Sequence, residues 1–357
     1  MISENPQTEH ILSGAGNSPD ETNHDAASMA GRSTKERANV HQAVLVPGED
    51  RDRAYVMHPL SRNRQRVATP AIEQAFPTIQ HAITFCEHGF AWQAEPKIGK
   101  SAAIEIIVEL LAEIYPNVPV FVTSAATHDD QNEKTQWKDI LEDLDIASKG
   151  RAHEMRSDLI NLFTLAGVTS GSDVVILLID EAQNWTEAQW EFMKGIVVAL
   201  DLRKRILLTC FLFGQTQLKT RRNDLLKAKR TDLVARFMPE MDEFLGIRKM
   251  SELKRVFRQF DDAEKTEYPE DSGISYSEFF MPQAYASGWR LEIEIPEMWR
   301  AFVRTNIKFR SLKMDSAVKT VKAFFIANKD SDSARFRGNP ELWDEAVRRS
   351  SFFVLHE

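Results

Sequence analysis

Cysteine is nearly missing from this 357-residue chain: there are 2, Cys86 and Cys210. Both stand among apolar residues, so no disulfide framework is indicated and a reducing, cytoplasmic setting is expected. No apolar run approaches the ~18–20 residues of a membrane span, so no membrane association is expected. Met1 to Ala30 is polar and lacks the apolar stretch of a signal peptide. No Cys/His spacing suggests zinc, and no internal repeat is visible. Positive charge is also short, with 45 Lys and Arg against 53 Asp and Glu and a formal net charge of −8. That balance argues against a protein that coats DNA with its whole surface, though a basic inner face of an assembly would suffice. Hydrophobic residues make up 43% of the chain, enough for a sizeable core in more than one domain.

A glycine is also missing from the most informative segment. Ala94-Glu95-Pro96-Lys97-Ile98-Gly99-Lys100-Ser101 fits the phosphate-loop pattern G-x-x-x-x-G-K-[ST] at every fixed position but the first, where Ala94 stands. In that pattern backbone N–H groups converge on nucleotide phosphates. Lys100 would reach the β- and γ-phosphates of ATP, and the Ser101 hydroxyl would hold Mg²⁺. A helix starting near Lys100 would add its positive end. Ile104, Ile107, Val108, Leu111 and Ile114 recur at helical spacing, with Glu105, Glu109 and Glu113 opposite. Pro116 stops this helix, and Val118 to Val122 reads as a buried strand. Upstream, Gly89-Phe90-Ala91-Trp92-Gln93 carries a thin strand signal. The competing reading is a Lys-Ser helix start without a ligand, with the Ala94 Cβ restricting the turn.

Asp173-Val174-Val175-Ile176-Leu177-Leu178-Ile179-Asp180-Glu181 reads as a central parallel strand ending in acids. Ligands bind at that end of open α/β sheets. Asp180 would organise Mg²⁺, and Glu181 would act as general base toward water. Thr186-Glu187-Ala188-Gln189 looks like a capping box. Ile206 to Phe213 is a third buried strand, followed by Gly214-Gln215-Thr216. Gln215, with Thr216 second, is the candidate that senses the γ-phosphate; the alternative is an ordinary turn.

These segments, with Asp232-Leu233-Val234-Ala235-Arg236-Phe237, resemble the AAA+ ATPases. Within them the chain resembles the TniB/TnsC-like transposition regulators, relatives of MuB, over roughly residues 50–300. Gly288-Trp289-Arg290 and the upstream segment carry the narrower likeness. The resemblance implies an α/β fold, a parallel P-loop AAA+ sheet flanked by helices with a C-terminal helical lid and extension. It implies a homo-oligomer, a ring or filament of hexamer-like build, that forms on double-stranded DNA with ATP. Hydrolysis would dissolve it, and a transposase and a target-selection protein would be its partners. It places Arg236 where such proteins donate an arginine to the neighbour's nucleotide, with Arg221 or Arg222 as rivals. It also points to Arg290 as a lid arginine at the nucleotide, against a structural role beside Trp289. Two other readings stay open: a passive nucleotide-binding scaffold, and an ATPase without a DNA role.

Residues 1–45 read as a disordered tail, 46–68 as an arginine-bearing arm, 69–240 as the ATPase core and 241–357 as a helical lid and extension. In the lid region Glu252 to Phe260, Pro296 to Thr305 and Met314 to Asn328 read as helical. The segment after the second strand holds Lys134, Thr135 and Arg151, carried over from the resemblance as DNA-phosphate contacts. Their alternative is solvated helix faces balanced by nearby acids. A second basic cluster lies between Lys219 and Arg230.

Overall fold

The structure is a computed structural model that describes residues 43–147, 149–306, 311–350 and 352. All but its last three residues of the expected 1–45 tail lie outside the described residues.

Five strands form one parallel sheet in the order β2-β3-β4-β1-β5. They are β1 (Gly89–Ala94), β2 (Val120–Ser124), β3 (Val174–Asp180), β4 (Leu207–Gln215) and β5 (Met241–Glu243). The two long apolar runs, β3 and β4, occupy the middle, where both faces are covered. Val175, Leu177, Ile179, Cys210 and Leu212 face the helices Glu133–Asp143, Ala152–Ser170 and Glu187–Lys204. Ile176, Leu178, Phe211 and Phe213 face the helices Pro70–Thr84 and Lys100–Ile114. The thin signal at Gly89 is a full strand between β4 and β5, with Phe90 and Trp92 in one layer and Ala91 in the other. A Cβ on Gly89 would lie 2.2 Å from the Cys210 carbonyl oxygen, so glycine permits the close approach to β4.

Three local expectations need correction. β2 begins at Val120, not Val118, and is half-exposed because it forms the sheet's edge. Cys86 is exposed rather than set among apolar groups, whereas burial pushes the Cys210 thiol up to about 12. The helix expected from Pro296 starts at Leu291, with Pro296 inside it. Its amino end is capped from a distant point: the Leu291 and Glu292 N–H groups donate to the Asp261 carboxylate at 2.8 and 2.9 Å.

From Ile247 onward helices enclose a separate apolar cluster that includes Phe257, Trp289, Phe302, Phe325 and Trp343. Val44, Ala54, Leu60 and Val67 belong to that same cluster. The arm, with its helix Glu49–Met57, therefore packs on the chain's own lid. His58 is the plug. It is fully buried, with ring centroids of Tyr268, Tyr276, Phe279 and Phe280 at 4.6, 4.5, 4.7 and 4.7 Å. Its Nδ1 accepts the Leu60 N–H at 3.0 Å, and burial pushes the imidazole down to about 3. Gln259 clamps the next turn of chain, accepting from Ala68 N at 2.9 Å and donating to Ala68 O at 2.8 Å.

Candidate nucleotide site

Parallel register brings the carboxyl ends of β1, β3 and β4 to one edge. Ala94 pairs with Gln215, and Ser124 with Asp180. Ala94 is the last residue of β1, so the missing glycine falls in the strand, where a Cβ has its ordinary place. The turn is made further on, by Lys97 at φ 64° and Gly99 at φ 105°. Lys100 and Ser101 then open the helix.

The side chains converge. Ser101 Oγ donates to Asp180 Oδ2 at 2.6 Å. Lys100 is buried, and its Nζ lies 3.5 Å from Glu181 Oε1. Glu181 Oε2 accepts from Gln183 Nε2 at 2.6 Å and from Gln215 Nε2 at 3.0 Å. Glu181 itself is left-handed, at φ 50° and ψ 32°, and its N–H donates to Asp180 Oδ1 at 2.8 Å. Burial pushes the Glu181 carboxyl up, but the Gln183 and Gln215 hydrogen bonds and the Lys100 charge outweigh it and hold it below its usual value. It is thus an anion with both oxygens engaged.

Two cavities flank the loop. One, of about 290 Å³, is lined by Ser101, Ile104, Ser124, Asp143 and Asp180. Asp143 had no sequence signal; its Oδ2 accepts from Thr123 Oγ1 and Ser124 N, both at 2.7 Å. The other, of about 220 Å³, lies between loop and lid, lined by Glu95, Ile98, Thr216, Phe244 and Arg248 among others. The lid reaches the loop directly. Lys313 Nζ is 3.7 Å from Glu95 Oε2, and Met314 Cβ is 3.6 Å from where a Gly99 Cβ would stand. Ile98 is buried; its Cδ1 lies 3.0 Å from the position of a Cβ on Gly246. The oxygen pair of Ser101 and Asp180 suits Mg²⁺, a hard cation that takes oxygen ligands beside phosphates. Among the described residues, no group of three or more His, Cys, Asp or Glu could hold a metal by itself.

The remaining candidates are elsewhere. Arg236 ends the helix Thr231–Phe237, and its carbonyl oxygen is 3.5 Å from the Cβ position of Gly89. That is the amino end of β1, opposite the loop. Its Nη1 is buried without a hydrogen-bond partner among the described residues. Arg222 is tied to the Met238 and Pro239 carbonyls at 2.8 and 3.1 Å, and Arg221 reaches the Gln183 carbonyl at 3.5 Å. Arg290 lies 3.6 Å over the Tyr285 ring and donates to the Tyr285 and Trp289 carbonyls at 2.9 and 2.7 Å. All these partners are in the lid, and it is Lys313 that stands at the loop. Lys134 and Arg151 are exposed at the starts of two successive helices. Thr135 is engaged in its helix cap, its N–H and hydroxyl donating to Asn132 Oδ1 at 2.9 and 3.2 Å.

Residues 93–221 match the AAA domain. That segment holds the loop, β3 and the end of β4. The chain is similar to the Aeropyrum pernix ORC2 protein in its ADPNP–ADP complexes, with a TM-score of 0.52 and 11% identity over 79% of this chain and 67% of that one. The ADP form of the same protein is similar at a TM-score of 0.50 and 12% identity, over 79% and 68%. At these identities the likeness is one of fold. No curated protein sequence matches the chain. Among the described residues no helix is long and apolar enough to cross a membrane.

Proposed function

We propose that this chain is an AAA+ ATPase that assembles with copies of itself on double-stranded DNA when ATP is bound, and there engages a transposase. The observation that carries the ATPase reading is the convergence of Lys100, Ser101, Asp180, Glu181 and Gln215 at one sheet edge. Lys100 balances phosphate charge. Ser101 and Asp180 would hold Mg²⁺, which when bound would supply positive charge against the phosphates. Glu181 takes the proton of the attacking water. Arg236, at the far end of β1 from its own loop, would serve a neighbour's nucleotide. Lys134 and Arg151 track DNA phosphates, while the Thr135 side chain serves its own helix. The transposition role rests on the resemblance alone, carried by the chain's size, the upstream segment and Gly288-Trp289-Arg290. One observation favours the scaffold with little turnover: both Glu181 oxygens are engaged by side chains of the chain itself.

Three measurements test the reading in order. The full chain should bind and hydrolyse ATP, and Glu181→Gln should bind it but turn it over about 100-fold or more slowly. ATP should promote oligomers on duplex DNA, and the Glu181→Gln oligomers should persist. A transposase encoded beside this chain should co-sediment with them. Binding with equal, negligible turnover in wild type and Glu181→Gln would establish the scaffold instead. Hydrolysis without DNA-dependent assembly would remove the DNA role.

A further inference from the structure

Gln183 carries no motif role in the sequence, yet its side chain joins two parts of the site. It is buried, with 9% of its surface exposed. Its Oε1 accepts the backbone N–H of Gln215 at 2.8 Å, while its Nε2 donates to Glu181 Oε2 at 2.6 Å. One amide thus ties the carboxylate to the end of β4. The fold makes room for it: a Cβ on Gly214 would come within 2.8 Å of Gln183 Oε1. The left-handed backbone of Glu181 aims its carboxylate at this amide at a conformational cost that a non-glycine residue rarely bears.

Glu181 has three partners, and they differ in kind. Lys100 and the Gln215 side chain face the place where phosphates would lie, and each has a use for them. Gln183 has none, because its other end is committed to the backbone of β4. We propose that Gln183 is a positioning residue for Glu181. It keeps one carboxylate oxygen fixed while Lys100 and Gln215 hold the base parked, and it alone remains when a nucleotide draws those two away. The inference rests on the ATPase reading above. The Gln183 bond holds Oε2, so that Oε1 is the oxygen left to face water once Lys100 turns to phosphate.

The test uses the full chain, with nucleotide affinity and kcat measured on wild type, Gln183→Ala, Gln183→Glu and Gly214→Ala. Losing a hydrogen bond to a charged group should lower kcat about 10–100-fold in Gln183→Ala. ATP affinity should change less than about 3-fold, since no phosphate contact is lost. Gln183→Glu keeps the shape but sets a second carboxylate against the first, and should lower kcat at least as far with ATP affinity kept. Gly214→Ala displaces the amide without deleting it and should lower kcat by less, again with ATP affinity kept. A wild-type kcat in Gln183→Ala would overturn the inference, and so would kcat and ATP affinity falling together. The ATPase reading fails differently: Lys100→Ala would bind ATP unchanged, or Glu181→Gln would turn over like wild type.

Discussion

Arg236→Ala is the variant that separates a lone ATPase from one completed by its neighbour. Arg236 sits beside Gly89 at the start of β1, and the phosphate loop follows Ala94 at its end. At ~3.3 Å per residue the strand separates them by about 17 Å, more than an arginine side chain can span. Its Nη1 is buried without a hydrogen-bond partner among the described residues, so its removal orphans no acceptor there. The lost stem packing is offset by relief of a desolvated donor worth ~1–3 kcal/mol, so the thermal midpoint should move by only a few degrees. Each subunit should still bind ATP. Trans-acting arginines contribute ~10³–10⁵ in rate, which is about 4–7 kcal/mol of barrier. The assay is steady-state hydrolysis over a range of protein concentration, with Arg236→Ala alone and mixed with Glu181→Gln. Neither variant should turn over well alone. In mixtures some interfaces pair Glu181 of one variant with Arg236 of the other, so activity should partly return. A wild-type rate for Arg236→Ala, or no recovery in confirmed mixed oligomers, would refute donation in trans.

Lys100→Ala should abolish ATP binding measured by equilibrium titration, and nucleotide-dependent assembly with it, because the phosphates lose their charge partner. Neutralising Lys134 and Arg151 together should weaken binding to two unrelated duplexes alike and lower the salt slope by about two, with ATP affinity intact; an unchanged slope moves the DNA surface toward Lys219–Arg230. Stability should depend on pH through His58, which burial holds at about 3 against the usual 6.5. The unfolded chain binds the extra proton between those values, so stability is full above pH 6.5 and falls by about 1.4 kcal/mol per unit as the pH drops toward 3. Urea unfolding at pH 7 and pH 5 should show wild type losing about 2 kcal/mol more than His58→Phe, and equal losses would refute the assignment.

The parallel sheet and its ligand edge were legible because β3 and β4 are unbroken apolar runs and the loop has fixed spacing. Gly89 to Ala94 was faint in sequence because its strand character comes from tertiary fit. Glycine admits the Cys210 carbonyl, and Trp92 stacks on Phe213 at 5.0 Å. Ala94 looked like a defect because the pattern is written as loop, whereas here its first position is strand. Asp143 and Lys313 were invisible because each reaches its partner across a long sequence gap, and Gln183, although two residues from Glu181, owes its role to the Gln215 backbone 32 residues on. A loop contact with no motif around it, such as Lys313 to Glu95, leaves no local periodicity to read. Arg290 was read as a lid arginine from the resemblance, and the Tyr285 face that occupies it could not be read from spacing. The start at Leu291 was hidden for a related reason, since its cap comes from Asp261.

The shared cluster of the arm and the lid makes the sheet an insertion rather than the middle bead of a string. Val44, Ala54, Leu60 and Val67 lie in the apolar cluster of Trp289 and Phe325, whereas Ile72 and Phe244 lie in that of β1 and the phosphate-loop helix. The covalent path between the two bodies is a pair of short crossings, one near Ala68 and one near Leu245. Trimming the chain at residue 69 would thus not yield a leaner ATPase. It would strip a wall, and the His58 plug, from the body at the other end of the sequence. The same geometry makes a lever: any rotation of the lid about those two crossings swings the arm, from Val44 to Val67, through the same angle.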